Sequence, residues 1–166
     1  CTFCLGEAFT PSYCTTQHSI TEQINAAISF HTSRRRSADI YLAYFQAGTN
    51  TFAPIDRLKQ LYTEALSHPK IEGVIIGTRP DCISSEILDY LEYLSHNHYI
   101  AIEYGIESCS DETLRHVNRG HDFATAQRAI AETKARGIDV GAHFILGLPN
   151  ETKAQIINQV ALINEL

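Results

Sequence analysis

The stretch YIAIEYGIES, Tyr99 to Ser108, decides how this chain reads. Its first half is apolar and rich in aromatic and β-branched residues, as suits a buried strand, and its end turns polar. Residues two apart on a strand share a face, so Glu103, Gly105 and Glu107 lie together. If Glu107 points into a pocket, Glu103 lies deeper on the same side. A carboxylate among apolar strands must be paired or hydrogen-bonded. The stretch therefore predicts a strand that carries chemistry at its C-terminal end.

Three other segments follow the same pattern. IYLAYFQ (Ile40 to Gln46) is apolar on both faces, which predicts a strand buried on both sides, and it runs into QAGTNT. GVIIG (Gly73 to Gly77) runs into GTRPD, and IDVGAHFILGL (Ile138 to Leu148) runs into GLPNE. Helical patterns separate them. SITE (Ser19 to Glu22) is a capping box opening a helix over about 21–33, and Pro54 opens a second with Ile55, Leu58, Leu61 and Leu66 on one stripe. Ser84 or Ser85 caps a third. A short helix near 111–118 ends at Gly120 and a longer one over about 123–136 ends at Gly137, both glycines suiting a left-handed C-cap. A last helix starts near Glu151.

Strands alternating with helices imply a parallel sheet, either a barrel or an open doubly wound sheet. Neither G-x-G-x-x-G nor G-x-x-x-x-G-K-[ST] is present, which weakens the nucleotide-binding open-sheet readings. In a parallel barrel the loops after the strands gather the chemistry, and here all four such loops are polar. His143 falls within the fourth strand, either as a core histidine with satisfied nitrogens or as a site residue.

The 166 residues suit one domain, a cysteine segment (1–18) followed by β/α repeats (19–166), able to bury roughly two-thirds of its unfolded surface. A net charge of −6 argues against a general nucleic-acid or anionic-membrane surface. The basic cluster Arg34-Arg35-Arg36 sits at a helix end, where it complements the dipole. No apolar run approaches the ~20 residues that span a bilayer. Five cysteines, an odd number, fit a reducing compartment and metal or redox use better than a disulfide framework.

Cys1, Cys4 and Cys14 cluster. A thioredoxin-like use of Cys1-x-x-Cys4 would need a helix directly after it, and LGEAFTPSY is a poor helix start. Cys1, Cys4, Cys14 and His18 have a spacing acceptable for tetrahedral zinc. Cys1 and Cys4 also suit two thiolates of an iron–sulfur cluster. Spacing alone favours zinc.

The segments YLAYFQAGTNTFAP, IIGTRPDC, EYGIES, VNRGHDF and HFILGLPNE, in this order, resemble radical SAM proteins, and specifically the YhcC-like family of Fe–S oxidoreductases. More distantly they resemble the radical domain of the Elongator catalytic subunit. The resemblance runs from Cys1 to about Glu151. It implies a partial (β/α)6 TIM-like barrel and a cytoplasmic enzyme. That enzyme would bind a [4Fe-4S] cluster and S-adenosylmethionine and make a 5′-deoxyadenosyl radical that abstracts hydrogen from a substrate. The first strand, the first cluster ligand and a C-terminal part are expected to lie outside this chain, with the sheet open at the edge where that strand belongs.

By position, the resemblance implies Cys1 and Cys4 as cluster ligands, and Gln46, Thr49 and Asn50 near the methionine amino end. It places Glu107 and Ser108 near the ribose, Arg119 near the methionine carboxylate, and Ile145 and Gly147 beside adenine. Arg79, Asp81 and His143 would line the substrate side. An electron donor such as flavodoxin or ferredoxin is the implied partner; tRNA is a conceivable substrate that the acidic charge disfavours. Two other classes remain: a zinc-stabilised binding module on Cys1, Cys4, Cys14 and His18, and a barrel hydrolase or lyase using Glu103, Glu107 and His143.

Overall fold

A computed structural model of the chain describes residues 1–4, 10–15 and 17–166. The expectation for LGEAFTPSY falls partly outside them. Ten elements follow in the order α1 (Ile20–Ser33), β1 (Tyr41–Phe45), α2 (Ile55–Leu66), β2 (Ile71–Thr78), α3 (Ser85–Ser95), β3 (Tyr99–Glu107), α4 (Asp111–His116), α5 (Phe123–Lys134), β4 (Asp139–Phe144) and α6 (Lys153–Ile163). A 3-10 turn, Pro80–Cys82, follows β2.

Local chemistry sets the boundaries. Ser19 and Glu22 form the expected capping box on α1, and Ser84, Ser110 and Asp122 cap α3, α4 and α5. Gly137 takes the expected positive φ after α5, whereas α4 stops at His116 and its left-handed residue is Asn118, φ 54°, rather than Gly120. Arg34 ends α1 with its guanidinium stacked 3.7 Å over the Phe30 ring.

The sheet is wholly parallel, in the order β1-β2-β3-β4. This order separates the two architectures left open by the pattern. A doubly wound sheet reverses direction at a switch point, whereas strands that step one way through right-handed crossovers put every connecting helix on one face. That is the partial barrel.

The helix-covered face holds the core. Val74, Ile76, Ile100, Ile102, Tyr104 and Ile106 pack beneath Leu58 and Tyr62 of α2, Leu88 and Leu91 of α3, and Ala126 and Ile130 of α5. Truncating the fully buried Ile102 to Ala would cost about 3 kcal/mol through lost transfer energy and the cavity left behind.

The opposite face is the barrel's inner face, and among the described residues no helix packs on it. Here the reading of β1 needs correction. Leu42 and Tyr44 are 42% and 43% exposed, so β1 is half-buried on its helix side and exposed on the other. β2 and β3 show the same asymmetry toward their C-termini, where Ile75, Gly77, Glu103, Gly105 and Glu107 alternate with fully buried neighbours.

Candidate functional site

At the C-terminal ends of the strands, the inner face carries two polar layers. The lower one joins three strands. Tyr44 on β1 donates its hydroxyl proton to Glu103 Oε2 on β3, and His143 Nε2 on β4 lies 2.8 Å from the same oxygen. Glu103 stands beside Gly77 on one side and Gly141 on the other, which is what lets the three side chains meet. A Cβ on Gly141 would sit 2.8 Å from Glu103 Cγ, and one on Gly77 would touch the Tyr44 ring at 3.8 Å. Burial works to raise the Glu103 pKa, but the bonds from Tyr44 and His143 hold it below the ordinary carboxylate value. Tyr44 is pushed up to about 12, by desolvation first and then by Glu103.

The upper layer is built on a kink. Between Gly105 and Glu107 the β3–β4 register slips, so that β3 carries one extra residue, and Glu107 takes a φ of 75°. Its carboxylate folds back over Gly105, where a Cβ would sit 2.6 Å from Glu107 Oε1 and 2.8 Å from Arg119 Nη2. Arg119 is 7% exposed, and each of its three guanidinium nitrogens has a partner. Nε reaches His121 Nε2 at 3.0 Å, Nη2 the Gly105 carbonyl and, at 3.4 Å, Glu107, and Nη1 the Cys1 sulfur at 3.2 Å. Burial pushes the Glu107 pKa up and the Arg119 pKa down, each against the pull of its partner. Burial thus works against the charged form of both partners, while their 3.4 Å approach favours it.

Cys1 and Cys4 are exposed free thiols on one turn, closed by Cys4 N to Cys1 O at 3.5 Å and pinned to the α4–α5 loop by Thr2 N to Val117 O at 3.0 Å. Among the described residues, no three His, Cys, Asp or Glu side chains come together as a metal-ligand set. Cys1, Cys4, Cys14 and His18 are therefore not assembled as a zinc centre.

A cavity of about 550 Å³ opens beside the upper layer, lined by Asp81, Leu114, Asn118, Arg119, Gly120 and His121. Arg79 lies against Gly120 and forks onto Asp81 through Nε and Nη2.

The other residues singled out by the sequence fall in the loops around this face. Asn50 donates both side-chain protons to carbonyls, Phe45 O at 3.0 Å and Gly77 O at 2.8 Å, which gives it a structural job in closing the β1–β2 end. Gln46 and Thr49 lie in the same loop. Ser108 is fully buried; its hydroxyl reaches Glu151 Oε1 at 2.8 Å and Gln159 Oε1 at 3.1 Å. Ile145 is exposed, its N–H bonded to Glu107 O, and Gly147 turns the chain with a φ of 84°. His143 is not a core histidine, its side chain being 56% exposed.

Sequence reasoning missed Tyr44 and Glu151. Glu151 Oε2 accepts from the amides of Gly147 at 3.0 Å and Leu148 at 3.1 Å, fixing the turn after β4. The signal for Tyr44 was present: Gly77 and Gly141, the register partners of Glu103, leave room on that face for large side chains to lie flat on the sheet.

The comparisons with known proteins agree with this architecture. The Radical SAM superfamily pattern matches residues 1–163. Protein YhcC of Escherichia coli K12 is 39% identical over 99% of this chain and 52% of its own length. Protein MJ0486 of Methanocaldococcus jannaschii is 36% identical over 100% of this chain and 52% of its own length. The chain thus spans about half the length of these curated relatives. Among solved structures, the archaeal Methanocaldococcus infernus Elp3 lacking residues 1–46 superposes with a TM-score of 0.74 at 18% identity, covering 89% of this chain and 38% of that one. A one-directional parallel sheet with its polar layers on the inner face, matched over nearly the whole sequence, identifies the chain as a member of the radical SAM superfamily.

Proposed function

We propose that this chain is the cofactor-binding core of a radical S-adenosylmethionine enzyme, with Cys1 and Cys4 as two thiolate ligands of a [4Fe-4S] cluster. The observation that carries the reading is the contact of Arg119 with Cys1. A nearly buried guanidinium donating to an exposed thiol's sulfur is suited to a sulfur that becomes anionic. When bound, the cluster and S-adenosylmethionine supply one-electron chemistry that yields a 5′-deoxyadenosyl radical.

The chain's own residues bind and orient. Arg119 and Glu107 offer a cation and an anion side by side, a match for the carboxylate and ammonium of a methionyl group. Glu151 holds the Gly147–Leu148 turn next to Ile145, whose exposed side chain gives adenine an apolar neighbour. Gln46, Thr49 and Ser108 complete the rim, Ser108 by anchoring Glu151 rather than by contact. The partner is a one-electron donor such as flavodoxin or ferredoxin, and the setting is the reducing cytoplasm, where five free cysteines persist. No helix of the described residues is long and apolar enough to cross a membrane.

Anaerobic reconstitution of the full-length protein with iron and sulfide tests the reading. The wild type turns brown with broad visible absorbance, whereas Cys1→Ala and Cys4→Ala do not. Retention of that absorbance in both variants overturns the ligand assignment.

A further inference from the structure

The lower layer has no part in the function proposed above, yet it is built with more care than a solvated surface needs. Three strands contribute one polar side chain each, and the glycines at 77 and 141 give two of them room to lie flat. An apolar residue at 103 would cost the sheet less than a half-buried carboxylate. Glu103 takes a proton donor on each side, which fixes the imidazole as its Nε2–H tautomer and directs Nδ1 away from the carboxylate. Nδ1 has no partner among the described residues, and the imidazole stands on the uncovered face. Tyr44 exposes part of its ring on the same face. Glu103 is the carboxylate of the lower layer, whereas one layer up the Glu107 carboxylate already faces the Arg119 guanidinium at 3.4 Å.

We infer that Tyr44, Glu103 and His143 form a binding site for an N–H-bearing cation, an ammonium group on the substrate. His143 Nδ1 accepts one hydrogen bond from it, Glu103 supplies the opposing charge, and the Tyr44 ring face contributes a cation–π contact. This rests on the reading of the inner face as the reaction chamber. The same chemistry has two sources, the substrate and the methionyl ammonium of S-adenosylmethionine, and the test separates them.

The test is a titration of full-length protein labelled with 15N-histidine, without cluster, followed through the His143 ring nitrogens. Their resonances are assigned by their loss in His143→Gln. In the free protein Nε2 is protonated and Nδ1 is not. Methylammonium shifts Nδ1 saturably, while tetramethylammonium, a cation with no N–H, and acetate do not. In Glu103→Gln the methylammonium affinity falls about tenfold, the size of one charge-assisted hydrogen bond. Tyr44→Phe, which keeps the ring, weakens it less and serves if Glu103→Gln fails to fold.

A methylammonium response that persists with S-adenosylmethionine present assigns the site to substrate. Its abolition by S-adenosylmethionine gives the site to the cofactor and overturns the inference. So does an equal response to tetramethylammonium or acetate, a proton on Nδ1 in the free protein, or no saturable response of His143. Because no cluster is present, failure here leaves the cofactor reading standing, and failed reconstitution leaves this result standing.

Discussion

Gly141 of β4 stands directly opposite Glu103 of β3, and the space a Cβ would need is filled by Glu103 Cγ, 2.8 Å away. The missing side chain on one strand is therefore the condition for the charged one on the next. Gly141→Ala must displace the carboxylate from Tyr44 and His143. It should cost about 1–3 kcal/mol in urea unfolding, the usual range for overpacking. Leu42→Ala, on the same face but exposed, should cost much less.

Tyr44 reports on that carboxylate. Its pKa, pushed up to about 12 by desolvation and by Glu103, is above its unfolded value. The associated stability is present at neutral pH and is lost as pH rises from about 10 toward that value, because the unfolded chain ionises first. Glu103→Gln removes the second cause and leaves the first. Alkaline absorbance titration of the variant should show one tyrosine moving part of the way back; an unchanged curve would disconnect the two residues.

Glu107 has the opposite sign from an ordinary paired carboxylate. Burial raises its pKa despite Arg119, so its contribution is fully present below the unfolded value and declines as pH rises through the folded one. Measured against Glu107→Gln, wild type should be relatively more stable in acid than at neutral pH. Arg119→Gln, which empties the bonds to His121 and the Gly105 carbonyl, should be the more damaging change, by about 1–3 kcal/mol.

Glu151 organises the turn after β4. Removing it in Glu151→Ala deprives two amides and the Gln159 side-chain NH2 of a partner and leaves the Ser108 hydroxyl with Gln159 alone. A loss of about 2 kcal/mol is expected. Faster hydrogen exchange should be confined to the Gly147 and Leu148 amides and the start of α6. Global acceleration alone would mean that the residue stabilises the fold without shaping the turn.

Much of this architecture was legible because it rests on local rules. Alternation of strand and helix, the caps at Ser19 and Ser84, the turn at Gly137, and the polar ends of the four strands all follow from short-range chemistry. Parity alone put Glu103 and Glu107 on one face, and the requirement for a partner foretold that Glu103 would have one. What escaped depends on neighbours far apart in sequence. Leu42 and Tyr44 are as apolar as Ala43 and Phe45, so β1 read as buried on both sides until the strand order left its inner face uncovered. Asn50 and Ser108 look like ligands in a polar loop, yet both are engaged inward by groups that folding brings to them.

Glu107 leaves one further consequence. A φ of 75° costs a residue with a side chain on the order of 1–3 kcal/mol, and glycine would relieve it. A search for more stable variants of this protein should therefore select Glu107→Gly, and in doing so remove the anion that faces Arg119. At this position tolerance to heat and capacity to bind draw the sequence in opposite directions, so a stabilised variant carrying glycine here should be checked for loss of ligand binding before it is called an improvement.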